Sequence, residues 1–252
     1  MRNPLSILIT GASSGIGRAL AVAYARPGVT LFLGGRSEER LAETVAQCAA
    51  RGAKVKSAAV DVTDAAATAA WIAACDNDAP LDLVIANAGI SLGDPLDGDL
   101  GRHTEETFAV NVTGVFNTIH PAIPLMRRRK RGQIAIMSSL AGYFGMGNAP
   151  AYSASKVAVR AYGEALRGLL RPEGIAVNVI CPGFIRSPMT ARNDFPMPFL
   201  MTADKAAEII RKGLAANRGR IAFPFPMLAM VRFLQMLPAS WLDFVLARLP
   251  AK

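Results

Sequence analysis

The chain has 252 residues, 52% of them hydrophobic and only 19% charged, which excludes a mainly disordered protein and leaves ample material for a core. Twenty-eight Lys and Arg against nineteen Asp and Glu give a formal charge of +9, a surplus that fits nucleic acid, a membrane surface or an anionic substrate equally well. Cys48, Cys75 and Cys181 have neither CxxC nor metal-ligand spacing. They speak against a disulfide framework and for a reducing compartment, and no metal site is expected.

The first apolar run, residues 5–9, passes directly into Thr10-Gly11, too short for a secretory leader, and no run reaches the roughly 18 residues of a membrane span. The protein is expected in the cytoplasm. Residues 5–10, 30–33, 55–60, 81–86, 134–137 and 175–181 read as strands, mostly continuous in polarity, as in a parallel sheet buried on both faces. Ala-rich stretches at 15–26, 38–51, 64–77, 104–130 and 151–171 read as the helices between them. Ser37-Glu38-Glu39 and Thr63-Asp64 supply helix starts. This alternation predicts one doubly wound α/β domain over 1–252, a parallel sheet of Rossmann type. Residues 1–182 would form its core, 183–202 a Pro-punctuated loop or broken helix, and 221–252 an apolar helical C-terminal extension.

Between the first strand and first helix stands Thr10-Gly11-Ala12-Ser13-Ser14-Gly15-Ile16-Gly17. Glycines permit a tight turn and close approach of a pyrophosphate, which the helix N-terminus then meets with free N–H groups. Taken alone, the run is also what an ordinary glycine turn looks like. After the second strand comes Gly34-Gly35-Arg36-Ser37, with no acid before Glu38. A site for NAD wants a carboxylate there for the ribose 2′-hydroxyl. A 2′-phosphate wants the bidentate guanidinium that Arg36 provides, so NADP(H) is favoured over NAD(H).

Tyr152 and Lys156 are four apart, hence on one face of a helix. A phenol ordinarily titrates near 10, and a neighbouring ammonium favours phenolate, which would turn Tyr152 into a usable acid and base. Ser138-Ser139 closes the fifth strand at the sheet edge where open α/β folds bind ligands.

These motifs, with Asn87-Ala88-Gly89, Asn111 and Pro182-Gly183, occur in one order from about residue 5 to 190. The chain thereby resembles the short-chain dehydrogenase/reductase family. The resemblance implies that Tyr152 exchanges the proton with the substrate oxygen and that Ser139 holds that oxygen. Lys156 would bind the nicotinamide ribose and lower the tyrosine pKa, while Asn111 supports a water-linked proton relay. It implies cofactor contacts from Gly11, Ser13, Ser14, Gly15, Ile16, Gly17, Arg36, Asp61, Val62, Asn87, Ala88, Gly89, Tyr152, Lys156, Pro182, Gly183, Ile185 and Ser187, with Asp61-Val62 at the adenine. Ala86 stands where the family commonly has a first Asn, and Ser187 where a Thr usually meets the carboxamide; the hydroxyl is retained.

The run Arg127-Arg128-Arg129-Lys130-Arg131 ends the long helix, where cations complement the dipole and Gly132 is a stop. No aromatics interleave it, so nucleic acid is not expected. Residues 209–252 carry seven Lys and Arg against Asp243 alone. Within them 227–237 and 240–249 are too apolar to face water. They would be a subunit interface or pocket lid, or a peripheral membrane contact through 226–252. Met189, Phe195, Met197, Phe199, Leu200 and Met201 in the loop predict an apolar, adaptable substrate pocket. The expectation is NADPH-dependent exchange of hydride with a ketone or secondary alcohol on a hydrophobic or lipid-like molecule, by a homodimer or homotetramer. A 3-oxoacyl or broad-range carbonyl reductase, and a non-catalytic NADPH sensor, are the alternatives.

Overall fold

Side by side, the apolar runs build one parallel sheet. A computed structural model describes residues 3–92, 99–147 and 149–238. Strands β1 (Ser6–Thr10), β2 (Thr30–Gly35), β3 (Lys54–Ala59), β4 (Leu83–Ala86), β5 (Gly132–Met137), β6 (Ile175–Pro182) and β7 (Arg220–Phe223) lie in the order β3-β2-β1-β4-β5-β6-β7, every pairing parallel. The helices are α1 (Gly15–Tyr24), α2 (Glu38–Ala49), α3 (Ala65–Asp78), α4 (Leu100–Phe108), α5 (Gly114–Ile119), α6 (Ala122–Arg129), α7 (Pro150–Leu170), α8 (Ala203–Ala215) and α9 (Phe225–Gln235).

Side chains alternate along each strand, so every strand feeds two cores. Ile7 and Ile9 pack with residues of α1, α2 and α8, while Leu8 between them packs with α3, α5, α6 and α7. A third, smaller cluster of Leu140, Tyr143, Val179, Cys181, Met227 and Val231 seats α9. This is the doubly wound, single-sheet α/β architecture read from the sequence. Strand order reverses between β1 and β4, which opens a crevice beyond their carboxyl ends.

The predicted helix starts at Ser37 and Asp64 cap α2 and α3, accepting from Arg40 and Ala67 N–H. Four features depart from the sequence reading. The edge strand β3 is not buried on both faces: Lys54, Ser57 and Ala59 are exposed, and charges on an edge discourage pairing with another chain. The single helix expected over 104–130 is three helices and a bulge, because Pro121 and Pro124 lack the N–H groups a continuous helix would use. It ends at Lys130 in a left-handed conformation, φ 49°, rather than at Gly132, which opens β5. Finally, α8 and β7 are elements the sequence reading lacks. The buried face of α8 is the regular helical stripe Ala206, Ala207, Ile210, Gly213 and Leu214, and β7 is four residues long. Residues 221–223 therefore belong to the sheet and not to a C-terminal extension.

The basic run is largely committed to acids. Arg129 grips Asp76 through both guanidinium nitrogens at 2.7 and 2.8 Å, Arg127 pairs with Glu173, and Arg131 reaches Asp82 at 3.1 Å. Among the described residues no helix is long and apolar enough to cross a membrane.

Helix α7 can approach β5 and β6 closely only because Gly163 faces them. A Cβ there would stand 2.7 Å from Val179 Cγ2 and 3.0 Å from Ile136 Cδ1. Gly163→Val should lower stability by about 2–3 kcal/mol through overpacking, read as a drop in Tm, since neither neighbour has a second place to go.

Candidate active site

The loop after β1 is shaped by what its glycines must avoid. Gly11 has φ +65°, and a Cβ on it would lie 2.8 Å from Ala88 Cα; on Gly17 it would lie 2.1 Å from the Gly11 carbonyl oxygen. The chain at 11–17 is thus folded tightly against the chain at 87–88. Thr10 is the pin: its hydroxyl accepts from Asn87 N–H at 3.1 Å and Ala88 N–H at 3.2 Å. The Asn87 amide donates back to the carbonyls of Thr10 and Gly11. Helices α2, α3, α4 and α8 carry side-chain caps, but at the start of α1 Ser14 caps nothing and no acid stands in the first turn. The first N–H groups of α1 are left for an anion, and the donor set fits a pyrophosphate.

At the end of β2, Gly35 lies within 3.5 Å of Ser13 at a built Cβ, and Arg36 is exposed without a hydrogen bond or ion pair among the described residues. Its charge reaches Asp61, whose carboxylate is drawn below its ordinary range chiefly by the Thr63 N–H, and further by the Thr63 hydroxyl and Arg36. Val62 turns its side chain inward against Gly114, so any part it plays at the cofactor falls to its backbone. Ser187 is brought over the start of α1: a Cβ on Gly15 would stand 3.1 Å from Ser187 Cβ. Ser187 and Thr190 bond each other, and Thr190 holds the Ile185 carbonyl at 2.7 Å. Gly183 donates to Phe223 of β7, and Pro182 accepts from Ser139.

Helix α7 delivers Tyr152 and Lys156 beside Ser139. The Lys156 ammonium is 3% exposed, donates to the Met137 carbonyl at 3.0 Å and lies 5.6 Å from the Tyr152 ring centre. Ser138 donates to the Lys156 carbonyl at 2.8 Å. Asn111 is fully buried inside a one-turn π-bulge, Ala109–Thr113, a geometry found at functional sites. It accepts from Ile90 N–H at 2.8 Å and donates to the Ile90 carbonyl and to Ser155 Oγ. Ser155 in turn donates to the Tyr152 carbonyl at 2.7 Å. Gly89 completes the junction, its built Cβ 3.1 Å from Asn111 Oδ1 and 3.4 Å from Lys156 Nζ. Thr10, Ser138 and Ser155 are absent from the sequence-based assignment. Each adjoins or sits inside a motif, but nothing in a one-dimensional pattern says which of two serines points inward.

The electrostatics correct one expectation. Burial raises the Tyr152 phenol above its ordinary value, and the Ser139 hydroxyl is the group that draws it down, because the Lys156 ammonium is turned toward Met137. Burial also holds Lys156 down to about 8. A shallow cleft adjoins Tyr152, walled by Leu92, Leu100, Pro150, His103 and Thr107.

Fold and site together define a dinucleotide-binding oxidoreductase. The family model for short chain dehydrogenase matches residues 6–195, and the chain belongs to the short-chain dehydrogenase/reductase family, whose members act on CH–OH groups with a nicotinamide cofactor. An uncharacterized oxidoreductase of Myxococcus xanthus is 40% identical over 243 residues, 96% of each chain. A putative ketoacyl reductase of the monensin polyketide synthase in Streptomyces virginiae is 36% identical over 189 residues, 73% of this chain and 72% of that one. Among solved structures, a Burkholderia phymatum member in complex with NAD superposes with a TM-score of 0.85 at 26% identity, covering 100% of this chain and 98% of that one. One from Sphingobium yanoikuyae in complex with NADPH gives 0.81 at 25%, covering 97% and 96%.

Because Lys156 is buried as a cation, its charge costs stability. The native value of about 8 lies below the ordinary 10.5, so the cost is full below pH 8 and vanishes as pH climbs through that interval. Lys156→Met should therefore raise the stability of the cofactor-free protein by about 2 kcal/mol at pH 7, an advantage shrinking above pH 8. Thermal melts across pH 6–10.5 read this directly, and an advantage that persists unchanged to the alkaline end would contradict it.

Proposed function

We propose that the protein is an NADPH-dependent reductase of ketones carried on hydrophobic molecules. Three features support the reading. At the C-terminal sheet edge Ser139 and Asn111 are linked to Tyr152, Asn111 through Ser155, and the Lys156 ammonium lies 5.6 Å from the Tyr152 ring. An uncommitted Arg36 stands where a 2′-phosphate would lie, with no competing carboxylate before Glu38. The 183–202 loop turns part of its apolar side chains inward: Phe195 stacks edge-on against Phe184 at 5.9 Å and Met197 is half-buried, whereas Phe199 and Leu200, expected at the pocket, are exposed. The convergence of Tyr152 and Ser139 carries the chemistry, and Arg36 carries the choice of cofactor.

Reduced nicotinamide, when bound, supplies hydride to a carbonyl carbon. The residues would hold it by the α1 N-terminus and the Gly11 and Gly17 turn at the pyrophosphate, Arg36 at the ribose phosphate, and Lys156 with Asn87-Ala88-Gly89 toward the nicotinamide end. Ser139 and Tyr152 then hydrogen-bond the carbonyl oxygen, and Tyr152 gives it a proton. A phenol kept protonated by burial suits a donor, so the arrangement favours reduction near neutral pH. In the relay that the family resemblance implies, Lys156 and Asn111 would restore the Tyr152 proton from solvent. A 3-oxoacyl substrate is the second reading, and the specific observation in its favour is the relative named as a putative ketoacyl reductase.

Tyr152→Phe should lower kcat by about a thousandfold with NADPH binding, followed by nucleotide fluorescence, within a few-fold of the parent. Full turnover in that variant would remove Tyr152 from the chemistry. Arg36→Ala should cut kcat/KM for NADPH by roughly 10–100-fold and leave NADH nearly untouched, the pattern expected from losing a charge-assisted contact to one phosphate. Steady-state rates against ketones of graded chain length, with both nucleotides, decide between this preference and its reverse.

A further inference from the structure

The outward face of α9 is largely apolar, with Arg232 and Gln235 along one side. Met227 and Val231 are buried, Leu228 packs beside them, and Gln235 donates to the Tyr143 carbonyl, so the helix cannot roll. At 100° per residue, its solvent-facing side chains span an arc of about 160°. That arc holds Phe225, Met236, Ala229, Phe233, Pro226 and Met230, with Arg232 at one border and the exposed Gln235 just beyond it. The large side chains are strongly exposed: Phe225 76%, Phe233 63%, Met236 82% and Met230 47%. Arg232 and Gln235, three apart on one side of the helix, are both exposed, and the Gln235 amide reaches back to the Tyr143 carbonyl.

We propose that this face seats on the surface of an anionic lipid bilayer. Together the four side chains present roughly 500 Å² of apolar surface, the size of patch that on a monomer often marks a contact site. A second copy is a poor occupant, since a stable interface needs about 800 Å² from each partner and α9 is only about 16 Å long. A bilayer demands no shape complementarity. It accepts Phe and Met at the acyl boundary, places Arg232 at the headgroups and attracts the net positive charge. The following sequence, outside the described residues, continues the composition with Trp241, Phe244, Leu246 and Leu249 against one acid, Asp243. The face is also close to the substrate loop: a Cβ on Gly183 would stand 2.6 Å from Met227 Sδ on the inner side of α9.

The test is flotation of the full chain with phosphatidylcholine vesicles, with and without phosphatidylglycerol. The parent should float with the anionic vesicles, less with the neutral ones, and be partly released by high salt. Phe225→Ser/Phe233→Ser/Met236→Ser should reduce the floating fraction roughly tenfold. Arg232→Glu should reduce it on anionic vesicles only. Both variants should keep their melting temperature and their NADPH oxidation with a water-soluble ketone. A parent that stays at the bottom with both vesicles, or a triple variant that floats as well as the parent, overturns the proposal. So does a triple variant whose defect is loss of a dimer by light scattering while the parent does not float. Flotation needs no turnover, so failure of the reductase reading leaves this result intact.

Discussion

Two hydrogen bonds crossing in opposite directions hold the middle of this protein together. Ser138 at the end of β5 donates to the backbone of Lys156, and the Lys156 ammonium donates back to the backbone of Met137. They lock the first turns of α7 to the edge of the sheet, and Gly163 lets the rest of that helix lie flush on β5 and β6. Tyr152 has its position because of this seam. So does Asn111, which reaches the same helix through Ser155. The seam is made from a charge taken out of water, and one residue therefore serves geometry and chemistry while costing stability.

Around that seam, the parallel sheet sets the direction of everything else. Strands running the same way end on the same edge, and the loops after β1, β4, β5 and β6 meet there although they are far apart in sequence. The Thr10 hydroxyl, bonded to Asn87 and Ala88, ties the first two of these loops into one unit. The apolar cluster under α9 ties the last to the tail of the chain.

The fold was legible because its strands are continuous apolar runs and its helices carry caps and periodic alanines. Tyr152, Lys156, Ser139 and Asn111 could be named from spacing and resemblance, and they do share one edge of the sheet. What escaped was what depends on three-dimensional direction. Nothing in the order of residues told that Ser155 faces Asn111, that Val62 points under α5, or that Lys156 turns toward Met137 instead of the phenol. Of the elements missed, β7 takes its identity from its neighbours, since four residues become a strand only beside β6. Helix α8 did carry a signal, the Thr202 cap and the stripe Ala206, Ala207, Ile210, Gly213 and Leu214 at helical spacing.

The bulge at Asn111 has a consequence for how such a chain can change. A helix with one residue too many turn is restored to regularity by deleting that residue, and the repaired helix would be the better hydrogen-bonded one. The deletion would also rotate everything before it by about 100° relative to everything after it. Asn111 would leave its pocket, or α4 would lose its seat beside the cleft. Substitutions that keep the length of the segment leave this register intact, so residue count is itself a functional property of the helix. It is one that no single side chain carries.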